Sequence, residues 1–425
     1  MKLYAAFVVA SAAATNQATN QYVTTLSADE LSQLSAELAQ WRQDFGAAAT
    51  AQGLLPPAVE SQSPLEAETD ALQRFFDNKV AIEIARRTNP NATFDNDHPF
   101  ALMTDAEFKN HVGLSFEEGY SAFRSLRTAD LDVFAPRATS MDWTTSKCVN
   151  PVRNQGKCAG CWLFSAVGTA ESAHCLATGE LIDLSEQQVT SCSTNGGGQG
   201  CQGGWPHAAL DYLSSGGGCL EQDYPYTSGS SGQSGTCQNS CSKKKLSFGA
   251  TVRVSGEAAL VTALNTQPVS VLVEGGNSVW RNYRGGVITQ CPGARSDHAV
   301  VAVGYDSSSY KIRNSWGASW GEAGYVRLQR GGGGKGTCNV VEGVSFPTII
   351  APKPTVSPPT KTTTKPTKPT VSPSSKTTNM PTPQAGCATC SRCYYPAANS
   401  CLDSVFTKGY CEYFNHGFGT VWCGS

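Results

Sequence analysis

Apolar residues recur at three- and four-residue steps early in the chain. Leu31, Leu34, Leu38, Trp41 and Phe45 fall on one helical face. Ser27 and Glu30 precede them as a capping box, the hydroxyl taking the amide three residues on while the carboxylate reaches back. A second run through Leu72, Phe75, Phe76, Val80, Ile82 and Ile84 predicts another helix. Residues 15–134 therefore read as a mainly helical segment, modestly apolar, that needs a surface to pack on. Further on the pattern changes. Trp162-Leu163-Phe164-Ser165-Ala166-Val167 predicts a buried helix with Cys161 in its first turn. Ala299 to Val303 predicts a buried strand with His298 at its head. Residues 351–384 show no periodicity. They are mostly Thr, Pro, Ser and Lys, with no acidic residue, and read as an extended, positively charged linker suited to O-glycosylation.

Composition adds a compartment. The 425 residues suggest two to three domains, and an apolar content of 40% allows a sizeable core. Charged residues are 16% of the chain and the net charge is −2, so nothing recommends nucleic acid as a partner. Met1 and Lys2 precede an apolar stretch, Leu3 to Ala14, which ends in small residues. That is the layout of a secretory signal peptide, residues 1–14. The stretch is too short to span a bilayer, and no later one is long enough. There are 17 cysteines, an odd number. The density suits an oxidising compartment, so the expected location is secreted and extracellular, with lysosome or vacuole as the alternative. None precedes Cys148, eleven lie from Cys148 to Cys338, and six lie from Cys387 to Cys423. At least one of them stays unpaired within the chain.

Three stretches carry the chemistry. They are Gln155-Gly156-Lys157-Cys158-Ala159-Gly160-Cys161-Trp162, then Asp297-His298-Ala299, then Asn314-Ser315-Trp316-Gly317. A cysteine reacts as thiolate, which a helix N-terminus and a nearby imidazolium both stabilise. A histidine on a rigid strand can serve as base when a third group orients it. His298 meets that description, and Asn314 follows close behind.

These motifs resemble the papain family of cysteine endopeptidases, in detail over residues 135–347. The resemblance implies an α+β, papain-like fold of two subdomains, one helical and one β-barrel-like, with a cleft between them. It implies Cys161 as nucleophile, His298 as general base and acid, Asn314 as orienter, and Gln155 as oxyanion-hole side chain. By the same resemblance Trp316 matches the indole that shields the His–Asn hydrogen bond. No cofactor and no metal is implied. Gly203 and Gly204 match the cleft wall, where a missing Cβ lets substrate backbone approach. Trp205, Pro206, Leu272, Ser296 and Gly343 match the specificity pocket, apolar and roomy at Gly343. They imply a bulky apolar side chain two residues before the scissile bond, while Glu342 at the pocket floor would admit Arg instead. Ala159 stands where the family has glycine, which costs about 1 kcal/mol if the position needs a positive φ. The family pairs Cys158 with Cys201, Cys192 with Cys237, and Cys291 with Cys338. Cys148, Cys175, Cys219 and Cys241 are left with three possible connectivities, and Cys161 remains free.

The resemblance also makes residues 15–134 an inhibitory propeptide, the peptidase unit 135–350, and the chain's own propeptide its inhibitor. Phe75, Asn78 and Ile82 match part of a helical propeptide motif. Phe100-Ala101, Met103-Thr104 and Glu107-Phe108 match a second, with Leu102 where Asp is usual. Cleavage is expected near Leu131–Ala138. Asn91-Ala92-Thr93 is a glycosylation acceptor. Residues 385–425 form a small Cys-rich, aromatic module that disulfides would staple. Cys387, Cys390 and Cys393 have a zinc-like spacing, but an oxidising compartment favours disulfides over metal. Tyr394, Tyr395, Tyr410, Tyr413, Phe414, Phe418 and Trp422 are candidates for an exposed face that stacks on sugar rings, so polysaccharide is a candidate partner. The rival reading is a catalytically inert papain-fold binding or adhesion protein.

Overall fold

The computed structural model describes residues 22–56, 61–112, 120–132, 138–194 and 197–349, and in the tail 393–395, 400–401, 411 and 421–423. The signal stretch, the linker, Cys387, Cys390 and most of the tail aromatics lie outside the described residues.

Two capping boxes start the chain's first long helices. Ser27 with Glu30 opens α1 (Ala28–Ala51), and Ser63 with Glu66 opens α2 (Pro64–Thr88), with Pro64 at its first position. Leu34, Leu38 and Trp41 are the buried face of α1. On α2, Leu72, Phe75, Asn78, Ile82 and Ile84 are buried, whereas Phe76 and Val80 are half-buried. The described part of this mainly helical segment also holds one short strand, β1 (Ala92–Phe94), which pairs antiparallel with a strand almost two hundred residues on. Two short helices follow, α3 (Asp105–Val112) and α4 (Tyr120–Ser125).

After β2 (Met141–Asp142) comes the helical half: α5 (Cys161–Thr178), α6 (Glu186–Cys192), α7 (Pro206–Gly216) and α8 (Ser228–Ser231). α5 is buried along nearly all its length. Its Trp162, Leu163, Val167 and Ala170 pack with Leu184, Val189, Leu210 and Leu213. The other half is built from β3 (Phe248–Val254), α9 (Glu257–Leu264), β4 (Val269–Val273), α10 (Ser278–Arg281), β5 (Tyr283–Ile288), β6 (His298–Tyr305), β7 (Ser309–Arg313), β8 (Tyr325–Gln329) and β9 (Gly343–Ile349). The strands run β1-β5-β8-β7-β6-β4-β9-β3, and β2 pairs with β6. This is the expected α+β architecture of two halves. The N-terminal segment is not a separate body: Phe94, Phe100 and Phe108 share one core with Trp280, Trp316 and Trp320.

Five disulfides join Cys148–Cys175, Cys158–Cys201, Cys192–Cys237, Cys219–Cys241 and Cys291–Cys338. In the tail a small sheet, β10 (Cys393–Tyr395) between β11 (Ser400–Cys401) and β12 (Val421–Trp422), carries a Cys393–Cys411 bridge. That bridge removes Cys393 from any zinc set. Tyr394 is 7% exposed, so it does not belong to an exposed aromatic face. It sits on the central strand, flanked on both sides. Among the described residues, no helix is long and apolar enough to cross a membrane and no cluster of ligands fits a metal ion.

Candidate active site

Cys161 is the first residue of α5 and the free cysteine among the described residues. Gly160 precedes it at the N-cap. His298 begins β6, where the β4 register sets it opposite Val273 and thus holds the ring in the cleft. Nε2 of His298 lies 2.8 Å from Asn314 Oδ1, and Nδ1 has no partner. Asn314 Oδ1 also takes the Ser315 amide at 2.8 Å, which fixes the oxygen toward the ring. Nε2 is therefore the protonated nitrogen, and the free Nδ1 is the one available to a thiol or a substrate. Trp316 stacks on the imidazole at 4.9 Å and Trp280 meets its edge at 5.9 Å. Together they exclude water from the His298–Asn314 bond.

Gln155 is fully buried beside them. Its Oε1 accepts from the Ser315 hydroxyl at 2.8 Å, which turns Nε2 toward the cleft. There Nε2 donates to the Cys158 carbonyl at 3.2 Å, the Val112 carbonyl at 3.3 Å and the His111 carbonyl at 3.5 Å. Sequence reasoning missed Ser315, though it sits inside the Asn314-Ser315-Trp316 motif. The two carbonyls from α3 occupy the donor that an oxyanion would use.

The charge state differs from what the helix N-terminus alone suggests. Burial pushes the Cys161 thiol up to about 12, outweighing the Ala299 amide that faces the sulfur. Burial likewise holds His298 down at about 4, against the hydrogen bond that its ring donates to Asn314. While the cleft is covered, burial disfavours the charged form of both groups, because neither charge can be hydrated there.

On the other side of Cys161 lies an apolar pocket. Trp205, Ala208, Leu272 and Ala299 form a cluster with Cys161, and Phe123 from α4 fills it. The Phe123 ring stacks on Trp205 at 5.5 Å with 24° between planes. Pro206 and His207 start α7 beside it, and the His207 ring is 5.4 Å from Trp205. Ser296 is half-buried, its hydroxyl without a partner. Gly343 faces Leu272 across β4 and β9, and a Cβ there would stand 2.8 Å from the leucine side chain. Leu272, rather than empty space, covers Gly343, which corrects the expected roominess. Glu342 points to Lys335 at 2.9 Å and not to a pocket floor. Gly203 has φ of 111°, and a Cβ on Gly204 would lie 2.6 Å from the Trp162 ring. Glycine at 204 is thus demanded by packing on α5 as well as by any approach of substrate. Ala159 has no positive φ, so the alanine carries no backbone strain.

A family model described as "Papain family cysteine protease" matches residues 137–348. The oryzain beta chain of Oryza sativa subsp. japonica is 42% identical over 230 residues, covering 52% of this chain and 48% of that one, so this chain spans about half of it. Chymopapain of Carica papaya is 35% identical over 287 residues, covering 64% of this chain and 78% of the relative. The solved proform of the ragweed pollen cysteine protease Amb a 11 superposes with a TM-score of 0.63 at 28% identity, covering 78% of this chain and 98% of that one. The chain belongs to the papain family of cysteine proteases. It is a peptidase, and its cleft is covered by its own N-terminal segment, through the His111 and Val112 carbonyls and the Phe123 ring.

Proposed function

We propose that the chain is a secreted cysteine endopeptidase made as a zymogen, which cleaves peptide bonds through Cys161, His298 and Asn314. The observation that carries this is the imidazole of His298, held by Asn314 at Nε2 and unpartnered at Nδ1, in the same covered cleft as the free cysteine. Once the cover leaves, water reaches the pair, and the proton of the thiol passes to Nδ1. The thiolate attacks the scissile carbonyl. The oxyanion takes hydrogen bonds from Gln155 Nε2 and the Cys161 amide. The imidazolium gives its proton to the departing amine, and the acyl group stays on sulfur. His298 then takes a proton from water, hydroxide adds to the thioester, and the thiolate leaves. No metal or cofactor has a part in these steps.

The pocket of Trp205, Pro206, Leu272, Ser296 and Gly343 receives a bulky apolar or aromatic side chain two residues before the scissile bond. The Phe123 ring on Trp205 supports that preference. The units proposed are a signal peptide 1–14, a propeptide 15–134, a peptidase unit 135–350, a linker 351–384 and a module 385–425 that binds polysaccharide. The linker–module layout and the aromatic content support the last point. Stoichiometric labelling of Cys161 by an epoxide thiol inhibitor after processing tests the mechanism. An unlabelled, inactive protein would leave the inert binding protein as the better reading. For the module, the isolated 385–425 segment should sediment with cellulose or chitin, and absence from every glycan pellet refutes that role.

A further inference from the structure

We propose that Arg281 is a specificity residue of the processed enzyme, selecting an acidic side chain in the peptide segment that departs with the new amino terminus. This rests on the protease mechanism above.

Arg281 ends α10 in the peptidase half and is 3% exposed. Its side chain meets Met103, Asp105 and Phe108 of the propeptide. It donates to the Met103 carbonyl at 2.8 Å, pairs with the Asp105 carboxylate at 3.0 Å, and lies 5.7 Å from the centre of the Phe108 ring. Its Nε has no partner. When the propeptide departs, the guanidinium loses its carbonyl, its carboxylate and its aromatic cover together. A guanidinium offers a fork of donors that matches a carboxylate.

Its side of the cleft follows from the chemistry. The acyl part of a substrate is bound to Cys161 and extends to the Trp205 pocket, so the departing amine lies where His298 can protonate it. Trp316 stacks on His298, and the Phe108 ring that covers Arg281 also meets Trp316 at 5.3 Å. Arg281 is thus beyond His298, on the departing side. The propeptide already places a carboxylate there, which shows that the site accepts one.

The test uses processed enzyme, its concentration fixed by titrating Cys161, and internally quenched peptides. These carry Glu, Gln or Lys at each of the first three positions after the scissile bond. Glu should exceed Gln in kcat/KM by about fivefold at one position, mostly through KM, the size expected of one solvent-accessible ion pair. Added salt should erode the ratio. Arg281→Gln should bring it near unity, and Arg281→Glu should favour Lys. A ratio of one at all three positions in the parent enzyme, or a ratio unchanged in Arg281→Gln, overturns the proposal. Should neither variant mature, the salt dependence decides, and a salt-insensitive ratio refutes it. Processed enzyme that cleaves nothing and labels nowhere brings down the mechanism and this inference together. Equal rates on Glu and Gln bring down this inference alone.

Discussion

Protonation of His98 should weaken the hold of the propeptide on the enzyme. His98 is buried in the interface with both ring nitrogens engaged. Asn282 Nδ2 donates to the Ser278 carbonyl, so its Oδ1 faces the ring and accepts from Nε2 at 2.8 Å. Nδ1 then accepts the Phe100 amide at 3.2 Å. A proton on Nδ1 would set N–H against N–H. Burial, with Arg281 and Arg284 nearby, holds the ring down at about 3, against an ordinary value of 6.5. The sign follows. A base with a depressed value in the bound state costs nothing above 6.5. It penalises binding increasingly as pH falls toward 3. At pH 5 the difference from 6.5 is 1.5 units, or about 2 kcal/mol, a weakening of about thirtyfold. His111, half-buried and held down at about 4, adds in the same direction. The assay is inhibition of processed enzyme by separately made propeptide from pH 7 to pH 5. His98→Gln should bind less well at pH 7 and flatten the profile by about thirtyfold over that range. A profile parallel to that of the parent propeptide refutes the reasoning.

Other outcomes follow from the same contacts. Gln155→Ala should lower kcat by about a hundred- to a thousandfold with a smaller change in KM, and it should also loosen the propeptide, which loses the bonds to the His111 and Val112 carbonyls. Phe123→Ala in the propeptide should cost about 3 kcal/mol of binding, read as a rise in inhibition constant of about a hundredfold or more. Glu171 is raised to about 7 by burial, above an ordinary value of 4.5, so the folded chain is favoured most below pH 4.5 and loses that advantage as pH climbs to 7. Glu171→Gln, which can still accept the Leu184 amide, should flatten thermal stability across that window in a melting series.

What was legible was local. The Ser27–Glu30 box, the helix that begins at Cys161 and the strand that begins at His298 are each written within about ten residues, and each stands where it was expected. What was not legible depends on distant partners. Residues 92–94 are too few to show a period. β1 exists because the Asn91 carbonyl takes the Val287 amide and Phe94 meets Tyr283. Arg281 and Asp105 carry no sign of each other in the chain. Ser315 was overlooked because its role is to hold Gln155, which is 160 residues away. The environment of Cys161 before processing was not legible for a related reason: a helix N-terminus favours thiolate, but residues 100–112 and 120–126 lie over the cleft, and desolvation there is the larger effect.

The covering segment touches the cleft at three kinds of contact, and acid acts on them unequally. Asp105 holds Arg281 on the departing side, the His111 and Val112 carbonyls hold Gln155 at the centre, and Phe123 fills the apolar pocket. His98 is tied to the first of these through Phe100, whose ring lies 5.5 Å from Phe108, the ring beside the Arg281 guanidinium. Phe123 has no charge to change, but its ring lies 5.9 Å from His207, which burial holds below its ordinary range. Acid should therefore act on the departing side through His98 and on the pocket side through His207, so His98→Gln alone should remove only part of the pH dependence of propeptide binding, and a profile made wholly flat by that one change would refute a second acid-sensitive contact.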